Sequence, residues 1–235
     1  MSDSAPPAIR YADLDALADA LAGSIAADLQ AAIAARGAAS LVVSGGRSPG
    51  RLFESLRTQP LDWSRVGIAL ADERWVAPSD PDSNERLVRE RLLTDRAAAA
   101  RFTGLKNAAA TAELGAVQAW HSFAAVPRPF DVVALGMGDD GHTASLFPAS
   151  PSLAEGLDET APPGCIAMQA PTKPRARISL NLSALLDSKR IVLLITGESK
   201  WRTYLAALAP GAAELMPVRA VLRQRRVPVD VIWCP

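Results

Sequence analysis

Short apolar runs alternate along this chain with amphipathic segments, and this alternation most limits the folds that the chain can adopt. The runs VVAL (132–135) and IVLLI (191–195) are uninterrupted by polar residues. Strands of this kind are typical of parallel sheets that are buried on both faces. We therefore predict an α/β fold with a doubly wound, mostly parallel sheet and helices on both faces.

The same patterns give the predicted elements. The predicted helices are 11–36, 50–58, 79–93, 112–125, 183–187, 201–209 and 217–225. The predicted strands are 40–43, 65–75, 130–136, 165–170, 176–182, the run from Arg190 and 229–234. Glycine or charged residues end several of these strands, at 44–46, 72–74, 136–142 and 196–200. We expect these ends to share one edge of the sheet. With no linker between two cores, we predict one domain, 1–235.

Charge and cysteine content exclude several classes of protein. Lys and Arg together number 25, as do Asp and Glu, so no net charge favours nucleic acid or a membrane as partner. Cys165 and Cys234 are too few for a disulfide framework or a paired-cysteine metal site. The N-terminus lacks the features of a signal peptide, and we expect no bilayer-spanning stretch. We predict a cytoplasmic protein that is a monomer or a weak homo-oligomer.

Two glycine-rich loops are candidate anion sites. GMGDDG (136–141) matches the dinucleotide fingerprint in form, but Asp139 and Asp140 would repel a pyrophosphate. SGGRSPG (44–50) follows a predicted strand and precedes a helix that Pro49 would open. Its candidate ligand groups are the backbone at Gly45 and Gly46, the Ser48 hydroxyl and Arg47. The loop could equally be an ordinary turn between a strand and a helix. If it is a binding site, its sequence favours a phosphate group on a small sugar over one on a nucleotide.

The imidazole of His142 is the candidate proton-transfer group, because it changes charge near neutral pH. Its surroundings, rich in glycine and acidic residues, favour this interpretation over a structural one. His121 lies mid-helix, and we interpret it as structural. Two distant histidines make a zinc site improbable, and we predict no metal. Further candidates at strand ends are Asp72, Glu73, Arg74, Arg177 and Lys200.

Taken together, these segments resemble the 6-phosphogluconolactonase family. The matching stretches are SGGRSP (44–49), DERWVAPSDPDSN (72–84), FDVVALGMGDDGHTASLFP (130–148), PRARISL (174–180) and TGESK (196–200). The DGHTASLFP block is the most specific of them. Arg47 and Ala77 depart from the family pattern, where a small polar residue and a proline are common.

The resemblance implies hydrolysis of the δ-lactone of 6-phosphogluconate, a step of the pentose phosphate pathway, without a cofactor. It also implies a Rossmann-like fold similar to that of glucosamine-6-phosphate deaminases. The expected catalytic residues are His142 as general base, Asp140, Asp72 and Arg74. The expected phosphate-binding residues are Gly45, Gly46, Arg47, Ser48, Arg177 and Lys200. The expected partner is a small sugar-phosphate lactone.

Two other functions are compatible with this fold. Glucosamine-6-phosphate deaminases typically continue the loop as DGHIAFNEP, with a glutamate that helps the histidine. This chain has Phe147 at that position, and a phenyl ring cannot relay a proton. A non-catalytic sugar-phosphate sensor would keep the anion site without proton transfer. The presence of His142 within an intact motif argues against a sensor.

Overall fold

Ten strands and eight α-helices alternate along the residues that the computed structural model describes, 8–46 and 48–235. The strands are β1 (Ala8–Arg10), β2 (Ala39–Val43), β3 (Val66–Leu70), β4 (Asp72–Arg74), β5 (Arg101–Thr103), β6 (Val132–Gly136), β7 (Cys165–Gln169), β8 (Ala176–Leu180), β9 (Ile191–Thr196) and β10 (Val229–Cys234). The helices are α1 (Leu14–Arg36), α2 (Pro49–Leu56), α3 (Asn84–Arg91), α4 (Ala112–Ser122), α5 (Leu153–Gly156), α6 (Leu182–Leu186), α7 (Gly197–Leu208) and α8 (Val218–Arg223).

Seven of the strands form one parallel sheet in the order β1-β10-β9-β6-β2-β3-β5. All residues of β2 and β3 are buried, so both faces of the sheet are covered there. The strands that follow β2 in the chain, β3 and β5, lie on one side of it. The strands that follow β6 in this sheet, β9 and β10, lie on the opposite side. The loops that follow β2 and β6 therefore diverge and leave a crevice between them. The predicted parallel α/β sheet is confirmed.

A second sheet corrects the prediction that residues 65–75 form one strand. The backbone N–H of Ala71 donates to Val43 in the parallel sheet, and the Ala71 carbonyl accepts from Leu180 outside it. The chain thus passes from one sheet to the other at Ala71. Beyond it, β4 joins a three-stranded antiparallel sheet in the order β4-β8-β7. The chain bends at Ala71, but no glycine or proline stands beside it, so the residue pattern could not reveal the change of partner.

Two short strands were not predicted, and one helix needs a correction. β1 and β5, three residues each, form the two edges of the parallel sheet and are too short for a clear pattern. Helix α1 is long and apolar enough, by length and composition, to cross a membrane. The expectation that no such stretch exists is therefore wrong. The apolar stripe of α1 is buried against the sheet, as in a core helix.

A buried carboxylate joins three elements at the amino-terminal edge of the parallel sheet. The side chain of Asp131 is 2% exposed. Its Oδ2 accepts from Arg36 Nη2 at 2.5 Å and from the backbone N–H of Ser40 at 2.8 Å. Its Oδ1 lies 2.9 Å from Lys189 Nζ. Asp131 therefore ties the end of α1 and the starts of β2 and β9 to β6.

We predict that Asp131→Asn lowers the free energy of unfolding by about 2–3 kcal/mol, because it leaves two cations without their buried partner. Asp187→Asn is the matched control, since it breaks a more exposed pair with Arg128 at 3.3 Å. That control should cost less than about 1 kcal/mol. Urea unfolding of both variants measures the difference, and equal losses would contradict the assigned role of Asp131.

Candidate active site

The predicted strand ends meet at the carboxyl-terminal edge of the parallel sheet. The loop after β2 contacts the end of β9 through a hydrogen bond of 2.7 Å between Ser48 Oγ and Thr196 Oγ1. Helix α7 starts directly after Thr196 and carries Lys200, which is partly buried, in its first turn. Gly45 and Gly46 lie in the same loop. The predicted site residue Arg47 lies outside the described residues.

His142 and Asp140 form a hydrogen-bonded pair in the loop after β6. Asp140 Oδ1 lies 2.6 Å from His142 Nδ1 and 3.1 Å from the backbone nitrogen of His142. Partial burial acts to raise the pKa of Asp140, but the hydrogen bonds and charge of His142 outweigh it and lower that pKa below its ordinary value. An ionised Asp140 accepts a hydrogen bond from the Nδ1–H group, so Nε2 of the neutral imidazole is left as the acceptor.

The backbone of this loop holds the imidazole closely. The Gly138 N–H donates to the His142 carbonyl at 2.9 Å, and the Gly141 N–H donates to Gly138 at 3.0 Å. A Cβ atom on residue 138 would lie 2.1 Å from the His142 ring, so only glycine fits there. The segment after His142 forms turns, whereas the dinucleotide fingerprint requires a helix at this point. The glycines of GMGDDG therefore let the loop backbone fold closely around His142, and they do not form a dinucleotide-binding turn.

Helix α7 anchors the other side of the same loop. Ser199 Oγ donates to Asp139 Oδ1 at 2.9 Å, and Thr203 Oγ1 donates to the Asp139 carbonyl at 3.1 Å. The loop that carries His142 and the helix turn that carries Lys200 are thus fixed to each other.

Two arginines face each other across the second sheet. Arg74 of β4 and Arg177 of β8 are directly opposed in the register. Arg177 is buried, and its Nε has no hydrogen-bond partner among the described residues. Burial, and then the charge of Arg74, lower the pKa of Arg177. Opposed like charges destabilise a sheet, and a buried cationic donor needs an acceptor, so this arrangement favours an anionic ligand.

Phe147 connects the arginine pair with the histidine. Its ring centroid lies 4.2 Å from that of His142, and Arg177 Cζ lies 5.8 Å from the Phe147 centroid. The residue that occupies the glutamate position of the deaminase pattern therefore packs on the imidazole. Sequence reasoning used Phe147 only to argue against a deaminase; its contacts depend on the tertiary structure.

Two acidic residues of β4 are buried, and both accept hydrogen bonds. Asp72 Oδ2 accepts from Ser145 Oγ at 2.6 Å, which joins β4 to the segment after His142. Glu73 is fully buried and accepts from four donors: the backbone N–H groups of Arg74, Asn84 and Glu85 and the hydroxyl of Ser83. Burial raises the pKa of Glu73 despite these hydrogen bonds. Sequence reasoning gave Glu73 no separate role, although its place between Asp72 and Arg74 was a signal.

The assembled site contains an imidazole, its carboxylate partner and two opposed arginines. Among residues 8–46 and 48–235, no group of three or more His, Cys, Asp or Glu side chains is arranged to hold a metal ion. The residues brought together are His142, Asp140, Asp72, Arg74, Gly45, Gly46, Ser48, Arg177 and Lys200, through the contacts between their loops and strands. This arrangement suits proton transfer next to a bound anion.

Comparison with known proteins defines the class. Residues 12–233 match the family described as glucosamine-6-phosphate isomerases/6-phosphogluconolactonase. A monomeric glucosamine-6-phosphate deaminase superposes with a TM-score of 0.76 at 18% identity, covering 96% of each chain. At that identity the likeness concerns the fold alone. The protein thus has the fold that the deaminases and lactonases share.

Relatives of higher sequence identity show which family within this class the chain belongs to. A 6-phosphogluconolactonase from Pseudomonas putida is 47% identical over 224 residues, which is 95% of this chain and 91% of the relative. The crystal structure of a 6-phosphogluconolactonase from Shewanella baltica superposes with a TM-score of 0.94 at 49% identity, covering 99% of this chain and 100% of the other. The chain belongs to the 6-phosphogluconolactonase family of lactone hydrolases.

We predict that Asp140→Asn removes the preference for a proton on Nδ1 of His142, because an amide can donate as well as accept. Nitrogen-15 NMR of the imidazole measures this preference directly. Because the pKa of Asp140 is lowered in the folded protein, its pairing stabilises the fold above the ordinary carboxyl range, about pH 4. The stability advantage of the wild type over the variant should therefore shrink as the pH falls below about 4, toward the lowered pKa of Asp140. An unchanged tautomer in Asp140→Asn would contradict this assignment.

Proposed function

We propose that this protein hydrolyses 6-phosphoglucono-1,5-lactone to 6-phosphogluconate in the pentose phosphate pathway, with His142 as the general base. The observation that carries the proposal is the 2.6 Å contact between Asp140 and His142 Nδ1, which leaves Nε2 available, in a site that also contains the Arg74–Arg177 pair. The relatives named 6-phosphogluconolactonase support the substrate assignment.

In the proposed first step, His142 Nε2 takes a proton from a water molecule, and the water oxygen attacks C1 of the lactone. The C1 carbonyl becomes a tetrahedral oxyanion, while His142 becomes an imidazolium beside the ionised Asp140. Positioned general-base catalysis of this kind contributes about 10²–10⁴ in rate. Cationic side chains and loop amides stabilise the oxyanion.

In the second step, the oxyanion collapses and the bond between C1 and the ring oxygen breaks. His142 returns its proton to the ring oxygen, which leaves as the C5 hydroxyl. The product is an open-chain carboxylic acid, and the imidazole is neutral again. The acid ionises at neutral pH, so one proton is released in each turnover.

The phosphate end of the substrate is assigned to the loop after β2. Its supports are Gly45, Gly46 and Ser48 at the start of α2, with Arg177 and Lys200 as the cations. A helix start favours a phosphate through its free N–H groups and its dipole. The predicted phosphate ligand Arg47 belongs to the same loop. Arg74 can serve either the phosphate or the oxyanion, since it is directly opposed to Arg177.

Phe147 favours the lactonase over the deaminase function. Lactone hydrolysis needs one proton acceptor that later becomes a donor, and the pair of His142 and Asp140 suffices for this. The deaminase pattern adds a glutamate where this chain places a phenyl ring against the imidazole. Ammonia release from glucosamine 6-phosphate would overturn the lactonase assignment.

We predict that His142→Asn lowers kcat by about 10²–10⁴, with KM nearly unchanged, because it removes the base and leaves the anion site in place. The exposed His121 in α4 provides the matched control, and His121→Asn should keep wild-type turnover. Proton release from the lactone at constant pH measures both rates. Near-wild-type turnover by a folded His142→Asn protein would show that the base is another group.

We predict that Arg177→Met weakens the binding of 6-phosphogluconate about 10- to 100-fold, the loss expected for a charge-assisted hydrogen bond. Arg175→Met is the matched control, because Arg175 is exposed and lies two residues away. Calorimetric titration gives both dissociation constants. A bound structure with the phosphate away from the 45–48 loop would contradict this site assignment.

A further inference from the structure

Asn84, the first residue of α3, lies between two of the loops that build the anion site. It is 3% exposed. Its Nδ2 donates to the backbone carbonyl of Asp72 at 2.8 Å. On the other side, its amide lies against the backbone of Gly45: a Cβ atom on residue 45 would be 1.9 Å from Asn84 Oδ1. The Asn84 side chain therefore occupies the space between the start of β4 and the loop after β2.

The backbone of Asn84 is held as firmly as its side chain. Its N–H donates to Glu73 Oε1 at 2.7 Å, and the neighbouring N–H of Glu85 donates to Glu73 Oε2 at 2.8 Å. Glu73 also accepts from the N–H of Arg74 at 2.7 Å. One buried carboxylate thus fixes both Asn84 and the strand position of Arg74.

We propose that Asn84 is a positioning residue that sets the distance between the Gly45–Gly46 turn and β4, and so adjusts the anion site to a phosphorylated substrate. The inference rests on the proposed phosphate site in the 45–48 loop. Asn84 is assigned no contact with the substrate. It acts through Gly45, whose missing side chain lets the loop backbone approach the amide, and through Asp72, whose carbonyl holds the amide in place.

The expected result for Asn84→Ala is a KM for 6-phosphogluconolactone about tenfold higher, with kcat within about twofold, because the loop loses its support and His142 does not. The dissociation constant of 6-phosphogluconate should rise by the same factor. Asn84→Ser tests the same point if the alanine variant does not fold. Asn181→Ala is the matched control: Asn181 is also buried, beside the start of a helix, and its Nδ2 donates to the Pro162 carbonyl at 2.9 Å. That control should lower Tm and leave KM unchanged.

A double variant tests the contact itself. Gly45→Ala should raise KM by more than Asn84→Ala does, because the added methyl group meets the amide. In Gly45→Ala/Asn84→Ala the amide is gone, so the effect should be smaller than the product of the two single effects. If the single effects multiply, the two residues act independently and the inference is wrong.

The remaining outcomes separate this inference from the function on which it rests. A lower Tm with wild-type KM in the Asn84 variants would assign Asn84 a purely structural role and overturn the inference alone. If the wild-type protein bound gluconate as tightly as 6-phosphogluconate, the proposed phosphate site would fail, and the inference with it. We expect the wild type to bind 6-phosphogluconate more tightly than gluconate. If Asn84→Ala loses this preference and Asn181→Ala retains it, the result supports both the phosphate site and the role of Asn84.

Discussion

The reversal of strand order between β2 and β6 is the constraint on which the site depends. The two strands are hydrogen-bonded neighbours, yet the chain leaves them toward opposite sides of the sheet. The loops that follow β2 and β6 therefore run in opposite directions, and a crevice remains between them at the carboxyl ends of these two strands. The loop after β2 supplies glycine backbone and Ser48, and the loop after β6 supplies Asp140 and His142. The groups proposed to bind the anion and to transfer the proton therefore lie at the same crevice.

The second sheet gives that crevice its positive charge. The chain changes sheets at Ala71, and this change places Arg74 opposite Arg177. Both arginines belong to the antiparallel sheet, so the parallel sheet alone could not bring them together. The carboxylates of Asp72, Glu73 and Asp82 offset part of the repulsion between the two arginines, but burial and the charge of Arg74 still lower the pKa of Arg177. Perturbed groups of this kind are common at functional sites. Phe147 lies within contact of both the imidazole and the Arg177 guanidinium, so an apolar ring covers one side of His142.

Much of the architecture could be predicted because parallel strands buried on both faces have a distinct composition. VVAL and IVLLI became β6 and β9, and their neighbours alternate with helices as expected. The glycines and charged residues after these strands lie at one edge of the sheet, and this is the edge at which we propose the site. The edge strands β1 and β5 could not be predicted, since three residues are too few to show a period. Neither could the break in 65–75, because no glycine or proline marks the bend at Ala71.

The sequence by itself determined the class of fold, the edge of the sheet at which the site is proposed, and the residue types available there: His142 with an acidic neighbour, a glycine loop, and scattered arginines. It determined these because they depend on local composition and on the order of segments along the chain. The tertiary structure alone decided which groups meet. Arg74 and Arg177 are 103 positions apart in the chain, and Gly45 and Asn84 are 39 positions apart. The ring of Phe147 packs on His142, five positions away. All three pairings follow from strand register and packing. Contacts of this kind produce no periodic pattern in the sequence.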